Sequence, residues 1–495
     1  MKLVTAFDEL IGNWQPHFAQ QRTFERARGL AFSSVVTFGR HTVSRLICSK
    51  NMHDRDWSAD YRFCSTRGWD ANDLFFEVLK AGDRYAHWPS NHVVAALDDT
   101  LIGKTGKKIP GVRTLRDPMS LPYHVNLIPG LRFLQASILV NPNHRIDCHR
   151  AIPILFEEAS PAKKPSKNAS EEEKERFKKE QKEKRISVKG IQALCQIRTW
   201  VDQLPNGSDR QVFVSVDGSF CNKTFMRSVP DEVVPIARAR KDLKLHKPPD
   251  DTMRANRVYG ERLPTPNEIR QDDSYPWQKA NLFFAGGNRD IRYKVLEPVL
   301  WPCIGPTPCR VIILAATGYR LRKGSKKLYR EPVYLITTDL ETPVELLIQY
   351  YLLRWDIEVN HRDEKSLLGV GDAQVRSPLS VERNPQFAVA TYSMLLLASL
   401  RAYGAERTED YLPLPKWRKE AERRPSTLDI VAQFRREVMM AQLQPALERT
   451  ADSARARENS GPQAESTGFV TTSGTSQSRV DLPVSILAAL LYADA

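Results

Sequence analysis

Two apolar runs of strand length, each followed at once by aspartate, constrain the fold of this chain more than any other feature. The first, NHVVAALDDT, spans residues 91–100 and reaches Asp98 and Asp99, and the second, QVFVSVDGSF, spans residues 211–220 and reaches Asp217. Runs that are apolar without alternation are typical of strands buried on both faces of a sheet. The pattern therefore predicts a mixed α/β fold in which buried strands carry carboxylates at their C-terminal ends.

A third carboxylate lies in a strong helical pattern, YYLLRWDIEVNHRDEK at residues 350–365. Tyr351, Arg354, Glu358 and Lys365 are spaced by three, four and seven residues, so at about 100° per residue they lie within about 60° of one another around the axis. A surface helix with i,i+4 ion pairs would also place Arg354 near Glu358. It would not predict a tyrosine and a lysine on the same face, so the spacing favours a helix that directs four polar side chains into a cleft.

Three carboxylates on separate elements suit the chemistry of phosphodiester cleavage. Two divalent cations about 3.5–4 Å apart can activate the nucleophile and stabilise the leaving oxygen, and Mg²⁺ prefers carboxylate oxygens. We therefore predict that Asp98, Asp217 and Glu358 hold two Mg²⁺ ions, which Mn²⁺ can replace, with Asp98 bridging both. The other three side chains of the helix face suit contacts to DNA phosphates.

The spacing Tyr-x2-Arg-x3-Glu-x6-Lys resembles the YREK signature of bacterial insertion-sequence transposases in the DDE superfamily, and the later QVRSP resembles that family too. The resemblance covers roughly residues 90–400. It implies a ribonuclease H-like catalytic domain, an insertion between the second and third acids, and catalytic roles for Asp98, Asp217 and Glu358. The first acid of that family usually lies in an Asp-x-Thr element, which DDT fits with Asp98 as the catalytic residue, and Asp99 stays the alternative.

The 495 residues exceed a single core of roughly 250–300 residues, so several domains are expected. The predicted order is a helical DNA-binding region, a catalytic domain in two parts around a basic, strand-containing insertion, and a C-terminal helical segment with a disordered tail that begins at about residue 445. The predicted limits are 1–88 for the helical region, 89–222 for the first catalytic part with a charged linker at 157–185, 223–332 for the insertion, 333–405 for the second catalytic part with the Glu helix, and 406–495 for the C-terminal segment.

Two short amphipathic stretches in the N-terminal region, at residues 23–36 and 40–50, are joined by a turn that contains Gly39. This arrangement is typical of a helix-turn-helix. The second stretch would then present to DNA the side chains of Arg40, His41, Ser44 and Arg45. A plain helical hairpin with a solvated basic face fits the same pattern, and both interpretations stay open.

The balance of charge favours a polyanionic partner. The chain has 73 Lys and Arg against 59 Asp and Glu, a net charge of +14, and we predict that it binds double-stranded DNA, both transposon ends and target, and associates with itself there. The segment RLRKGSKKLYR, here called the 320–330 cluster, has six basic and no acidic residues. Its predicted DNA contacts are Arg320, Arg322, Lys323, Lys326 and Lys327.

Several classes of protein do not fit the sequence. No apolar run approaches the ~20 residues of a membrane span, and Asp8 and Glu9 interrupt the start of the chain where a secretory signal would be apolar. The seven cysteines are scattered, without the spacing of a disulfide framework or a zinc site. A cytoplasmic protein without membrane partners is therefore expected.

Other acidic and histidine residues compete with this assignment only weakly. Asp339 ends a further strand-like run, PVYLITTDL, and is a rival for the second acid. Asp356, Asp363 and Glu364 fall off the Glu358 face and are expected to be solvated, and His361 is expected to be a polar surface residue.

The sequence as a whole predicts a DNA transposase that cuts and transfers strands at the ends of an insertion sequence. The alternatives are a catalytically inactive DNA-binding protein derived from such an enzyme and another ribonuclease H-like nuclease. The presence of an acid at all three positions argues against the inactive descendant.

Overall fold

The fold is known from a computed structural model. It describes residues 1–54, 56–106, 108–118, 120–121, 123–250, 256–320, 324–414, 416 and 423–459, and only the backbone of residues 444–459. The N-terminal region is helical, as predicted. Its helices are α1 (Lys2–Gly12), α2 (Gln21–Val36), α3 (Val43–Ser49), α4 (Trp57–Arg62) and α5 (Ala71–Asp83).

A mixed sheet with flanking helices follows. Its first elements are β1 (Val93–Gly103), β2 (Arg113–Arg116), β3 (Leu127–Val140), β4 (Arg150–Glu158), α6 (Glu171–Glu183), α7 (Ile186–Asp202), β5 (Val212–Val216), α8 (Lys223–Met226) and β6 (Val233–Arg238). Strands β4, β3 and β1 are antiparallel neighbours, and β5 and β6 run parallel to β1 in the order β4-β3-β1-β5-β6. This is the mixed sheet of a ribonuclease H-like domain, and it confirms the predicted fold class.

The segment predicted as an insertion extends the same sheet. Its elements, with the strand that follows it, are α9 (Pro266–Gln271), β7 (Gln278–Phe284), β8 (Gly287–Leu300), β9 (Pro308–Leu314), β10 (Gly318–Tyr319), β11 (Leu328–Tyr329) and β12 (Val333–Thr337). β12 joins β6 to β9, β8 and β7, while β10 and β11 form a separate two-stranded ribbon. The segment is therefore strand-containing, as predicted, and its β6 is a strand of the central sheet.

The C-terminal third is helical. Its helices are α10 (Val344–Leu353), α11 (Trp355–Leu367), α12 (Pro378–Tyr403) and α13 (Thr427–Asn459). The helical pattern at residues 350–365 is divided at Arg354, which lies between α10 and α11 and has helical dihedral angles itself. α13 continues to Asn459, so the helical segment is longer than the composition of the region after about residue 445 indicated.

The N-terminal helices pack against the sheet through α12. Apolar side chains bury α12 along most of its length, between α1, α5 and β4. Its Phe387 lies edge-on to Phe63 with ring centroids 5.1 Å apart, and 5.8 Å from the ring of Trp14. Aromatic pairs at these separations add stability beyond the area that they bury, and they join the N-terminal region to the catalytic domain.

The charged linker contains an exposed helix, α6, which buries none of its residues. Local interactions account for its formation. Ser170 and Glu173 form a reciprocal capping box at its start, and Lys184 pairs with Glu180 at 2.8 Å, four residues earlier. The prediction that this part of the linker is solvated is confirmed.

Candidate active site

The register of the two parallel strands places Asp98 beside Asp217. The last paired residues of β1 and β5 are Leu97 and Val216, so the two aspartates are the next residues on neighbouring strands, which run about 4.8 Å apart. β1 does not end there as predicted but continues to Gly103, because the longer β3 still pairs with it. Asp98 thus lies where β1 loses its parallel partner and one side of the strand opens.

Helix α11 brings Glu358 to the same place, and Arg354 links it to the strand. One guanidinium nitrogen of Arg354 donates to Oδ2 of Asp98 at 2.6 Å, and another donates to Oε1 of Glu358 at 2.7 Å. Asp98 and Glu358 therefore share one cation, although 260 residues separate them in sequence.

The other two residues of the helix face also point toward β1. The ammonium of Lys365 donates to Oγ1 of Thr100 at 2.7 Å and to the carbonyl of Leu101 at 2.9 Å. Tyr351 is buried and lies close enough to Arg354 and Asp217 for their charges to act on its hydroxyl. The structure thus brings together all four residues of the predicted helix face.

Asp99 points away from this cleft, because side chains alternate along a strand. Its carboxylate pairs with Arg132 of β3 at 3.1 Å. Asp98 and Thr100 face α11 instead, through their contacts with Arg354 and Lys365. The geometry places Asp98, and not its neighbour, with Glu358.

Burial and crowding of charge set the proton affinity of the cleft. Burial raises the pKa of Asp98 to about 7, Asp217 and Asp99 add to the rise, and Arg354 opposes it. Burial alone would lower the pKa of Arg354, but attraction to Asp98, Tyr351 and Glu358 outweighs this and raises it. A cation close to Asp98 would stabilise the ionised form of its carboxylate.

Carboxylate oxygens are suitable ligands for a hard divalent cation, but in the structure two of the three carboxylates bind the guanidinium of Arg354. Among the described residues, no three His, Cys, Asp or Glu side chains are close enough to one another to hold one metal ion. Asp98 and Glu358 instead each give an oxygen to the guanidinium, and Asp217 accepts from the backbone and hydroxyl of Ser219 at 2.9 and 2.6 Å. Three carboxylates from three elements remain the oxygen ligands that Mg²⁺ prefers.

The prediction that the off-face residues of α11 are solvated is wrong. Asp356, His361, Asp363 and Glu364 are all buried. Asp356 contacts His149 at 3.2 Å, and burial raises the pKa of Glu364 to about 8. The reason is tertiary: α11 is covered by the sheet on one side and by α12 and α13 on another. Asp339 is also buried, and its carboxylate accepts from the backbone of Thr342 at 3.0 Å in the turn before α10.

The described part of the 320–330 cluster lies on the exposed β10–β11 ribbon, next to the start of α11. Arg320, Lys326 and Lys327 are exposed. The guanidinium of Arg330 lies 5.8 Å from the ring of Trp355, the residue after Arg354. Arg322 and Lys323 lie outside the described residues. The described part of this basic cluster therefore adjoins the first residue of α11.

The predicted N-terminal DNA contacts divide into exposed and buried residues. Arg40 and Ser44 are exposed, and Arg45 is half-buried, with a guanidinium nitrogen donating to the carbonyl of Phe38 at 3.2 Å. His41 is not directed outward as predicted. It is buried, because its backbone N–H donates to Asp372 at 2.8 Å and its ring nitrogen lies 3.0 Å from the carbonyl of Ser34.

Sequence reasoning missed two arginines that pair with or adjoin the candidate aspartates. Arg132 pairs with Asp99, and Arg238 ends β6 next to Asp217, since Val216 pairs with Ala237. The signal for Arg238 was present: the run VVPIAR is apolar and ends in a charge, as the two aspartate-bearing strands do.

The comparison with known families agrees with this geometry. A family profile described as DDE superfamily endonuclease matches residues 15–302. The chain belongs to this family. The match to the DDE superfamily includes Asp98 and Asp217 and stops before Glu358. DDE superfamily endonucleases act on DNA and generally use divalent metal ions, so a nuclease-type or transposase-type activity is established in general terms.

Two further findings complete the comparison. No curated protein matches the chain. Within the described residues, no helix combines the length and the apolar character that crossing a bilayer requires.

Proposed function

We propose that this DDE superfamily endonuclease is a DNA transposase that cuts strands at the ends of an insertion sequence and transfers them to a target. The observation that supports the proposal is that Arg354 joins Asp98 to Glu358 at the point where Asp98 stands beside Asp217 on the neighbouring strand. Three acids from two strands and a helix, with a basic cluster next to the start of that helix, suit strand cleavage and transfer on a polyanionic substrate.

The three carboxylates would hold two Mg²⁺ ions, or Mn²⁺ in their place, with Asp98 shared between them. When bound, such ions supply an activated oxygen nucleophile and stabilise the leaving oxygen. Arg354 now uses one oxygen of Asp98 and one of Glu358. It would therefore release at least one of them, and a DNA phosphate is the partner that a guanidinium binds in a bidentate manner.

The remaining residues of the helix face would position the substrate. Lys365 uses two of its three ammonium protons on Thr100 and Leu101, which leaves one for a phosphate oxygen. Tyr351, beside Asp217, would contact the sugar-phosphate backbone of the same DNA strand. The exposed 320–330 cluster would extend these phosphate contacts along the duplex, and Arg40, Ser44 and Arg45 would read the element's own ends if α3 enters the major groove.

The domain limits, the self-association and the localisation of the protein are further parts of the proposed function. The domain limits derived from the sequence stand as proposals, with β6 belonging to the central sheet. Two transposon ends must be processed together, which makes self-association on DNA part of the proposal. An enzyme that acts on chromosomal DNA would work in the cytoplasm, at the nucleoid.

The test is cleavage of a duplex taken from the DNA that flanks the coding region. Glu358→Gln should abolish Mg²⁺-dependent cleavage and leave DNA affinity within a few-fold of wild type, because it removes a metal ligand and no phosphate contact. Asp98→Asn should do the same, whereas Asp99→Asn, on the opposite face of β1, should retain measurable cleavage.

Three results would count against the scheme. Loss of cleavage in Asp99→Asn but not in Asp98→Asn would show that the first acid was chosen wrongly. Loss of DNA binding in Glu358→Gln would make that residue structural. Cleavage of RNA but not of DNA by the wild-type protein would favour another ribonuclease H-like nuclease.

A further inference from the structure

The connection between β2 and β3 exposes apolar side chains to solvent. Four large apolar side chains are among its most exposed residues: Leu121 is 55% exposed, Tyr123 86%, Val125 55% and Leu127 58%. Contiguous apolar surface that a protein does not bury usually marks a binding site. We call these four residues, Leu121, Tyr123, Val125 and Leu127, the apolar tip.

Hydrogen bonds close the base of the apolar tip. The backbone N–H of Asp117 donates to the carbonyl of Asn126 at 2.9 Å, and the backbone N–H of Asn126 donates to Oγ of Ser120 at 3.0 Å. The amide of Asn126 also donates to a carboxylate oxygen of Asp117 at 3.3 Å. The apolar side chains are therefore presented by a loop whose two ends are tied together, outside the hydrophobic core.

The strand that carries the apolar tip leads directly from the carboxylate cleft. Gln135 of β3 lies opposite Asp98, and Leu127 begins the same strand eight residues earlier. At about 3.3 Å per residue, the base of the tip lies about 26 Å from the cleft. Gly130 pairs with Gly103, the last residue of β1, so the tip lies beyond the C-terminal end of β1. A duplex with a phosphate at the cleft would reach the tip within one helical turn.

The approach to the apolar tip is basic. Arg116 is exposed at the end of β2 that adjoins the tip, and Arg113, three residues earlier, is half-buried with one guanidinium nitrogen donating to the carbonyl of Val112. Charges of this sign complement phosphates on either side of an apolar contact. They do not favour an apolar protein partner, whose interface would lack counter-charges.

We propose that the apolar tip is a wedge that enters the minor groove and kinks DNA bound at the carboxylate cleft. Architectural proteins insert apolar side chains between base steps in this way, and basic residues beside the wedge hold the phosphates. Leu121, Tyr123 and Val125 form the wedge, and Arg113 and Arg116 contact the flanking backbone. The inference rests on the proposed action on DNA, and it adds a binding site outside the carboxylate cleft.

The test measures bending and unstacking without cleavage. Full-length protein carrying Glu358→Gln is bound to a duplex from the DNA flanking the coding region, with fluorescent dyes at both ends and 2-aminopurine at successive positions. The wedge should raise energy transfer between the dyes and raise 2-aminopurine fluorescence at one step. Replacing Leu121, Tyr123 and Val125 together by Ser should abolish both signals, lower affinity about tenfold or less, and leave the salt dependence of binding unchanged.

Two variants control for folding and for a general loss of apolar surface. Tyr123→Phe keeps an aromatic ring and should retain both signals. Leu428→Ser, at a residue that is 60% exposed on α13 and far along the chain from the tip, should behave as the parent. Melting curves by circular dichroism verify that the triple variant is folded.

The outcomes separate the wedge from the transposase proposal. Undiminished bending by a folded triple variant would refute the wedge, and loss of self-association in sedimentation with bending retained would assign the tip to a second copy of the chain. Neither result would affect metal-dependent cleavage by the wild type. Failure of the wild type to bind and cleave DNA would instead refute the proposed function.

Discussion

Replacing Glu364 by Gln should stabilise the protein, and by an amount that grows with pH. Glu364 is 1% exposed, and its Oε1 accepts from the amide of Gln135 at 3.0 Å. Burial raises its pKa to about 8, while Gln135 and Lys365 oppose the rise. Oε1 of Gln135 is buried without a hydrogen-bond partner among the described residues. A protonated Glu364 could donate to it, as the amide of a glutamine could.

The sign of the effect follows from proton uptake. The ordinary pKa of a glutamate is 4.5 and the folded-state pKa of Glu364 is about 8, so between these values the folded protein holds a proton that the unfolded chain has released. Stability therefore falls as pH rises through this window. At 1.36 kcal/mol per pKa unit, the cost is about 3 kcal/mol at pH 7 and approaches about 5 kcal/mol above pH 8. Gln has no proton to bind, so the variant escapes this cost.

The assay is urea unfolding of wild type and Glu364→Gln at pH values from about 4.5 to 8.5, followed for the transition that includes α11. The gain in unfolding free energy should be near zero at the acid end and about 3 kcal/mol at pH 7. Glu171→Gln is the control, because that side chain is 83% exposed on α6 and should show no such trend. A gain independent of pH, or a loss at every pH, would mean that Glu364 is ionised and held by Lys365.

Two further predictions concern charge and buried polar groups. Replacing the basic residues of the 320–330 cluster by Gln should flatten the log–log salt dependence of DNA binding by several units, at about 0.9 for each phosphate that the variant no longer neutralises, and an unchanged slope would place the cluster away from DNA. Lys104→Met should lower the free energy of unfolding by about 2–4 kcal/mol, because the buried ammonium donates to the carbonyls of Gly371 and Ala373. Lys108→Met, at an exposed lysine, should change it little, and equal decreases in the two variants would contradict the argument.

The local sequence pattern was sufficient to predict the strands and the helix that carry the candidate site residues. The run before Asp98 is apolar and the run before Asp217 is apolar except at Ser215, as is typical of strands buried on both faces, and both are strands. The helical face of Tyr351, Arg354, Glu358 and Lys365 depends only on residues within four turns of one another, and the structure keeps it even though the helix is divided at Arg354. Such features are set by backbone geometry and near neighbours.

Burial of charge could not be predicted in the same way. Asp363 and Glu364 fall on the polar side of a helical wheel, yet both are buried because other parts of the chain cover that side of α11. His41 has the sequence context of an exposed helix start, but it contacts Asp372, 331 residues later. The burial of a residue depends on its neighbours in space, and these cannot be predicted from its neighbours in sequence.

The sequence by itself determined that this chain has a mixed α/β fold, aspartates at the edge of buried strands, a glutamate on a patterned helix and a basic segment at residues 320–330. Only the tertiary structure decided that Asp98 rather than Asp99 faces Glu358, that Arg354 joins the two acids, and that Arg238 stands beside Asp217. Strand register and the packing of α11 on the sheet make these choices. Both depend on contacts between separate segments of the chain, whereas periodicity reports only which face of an element is apolar.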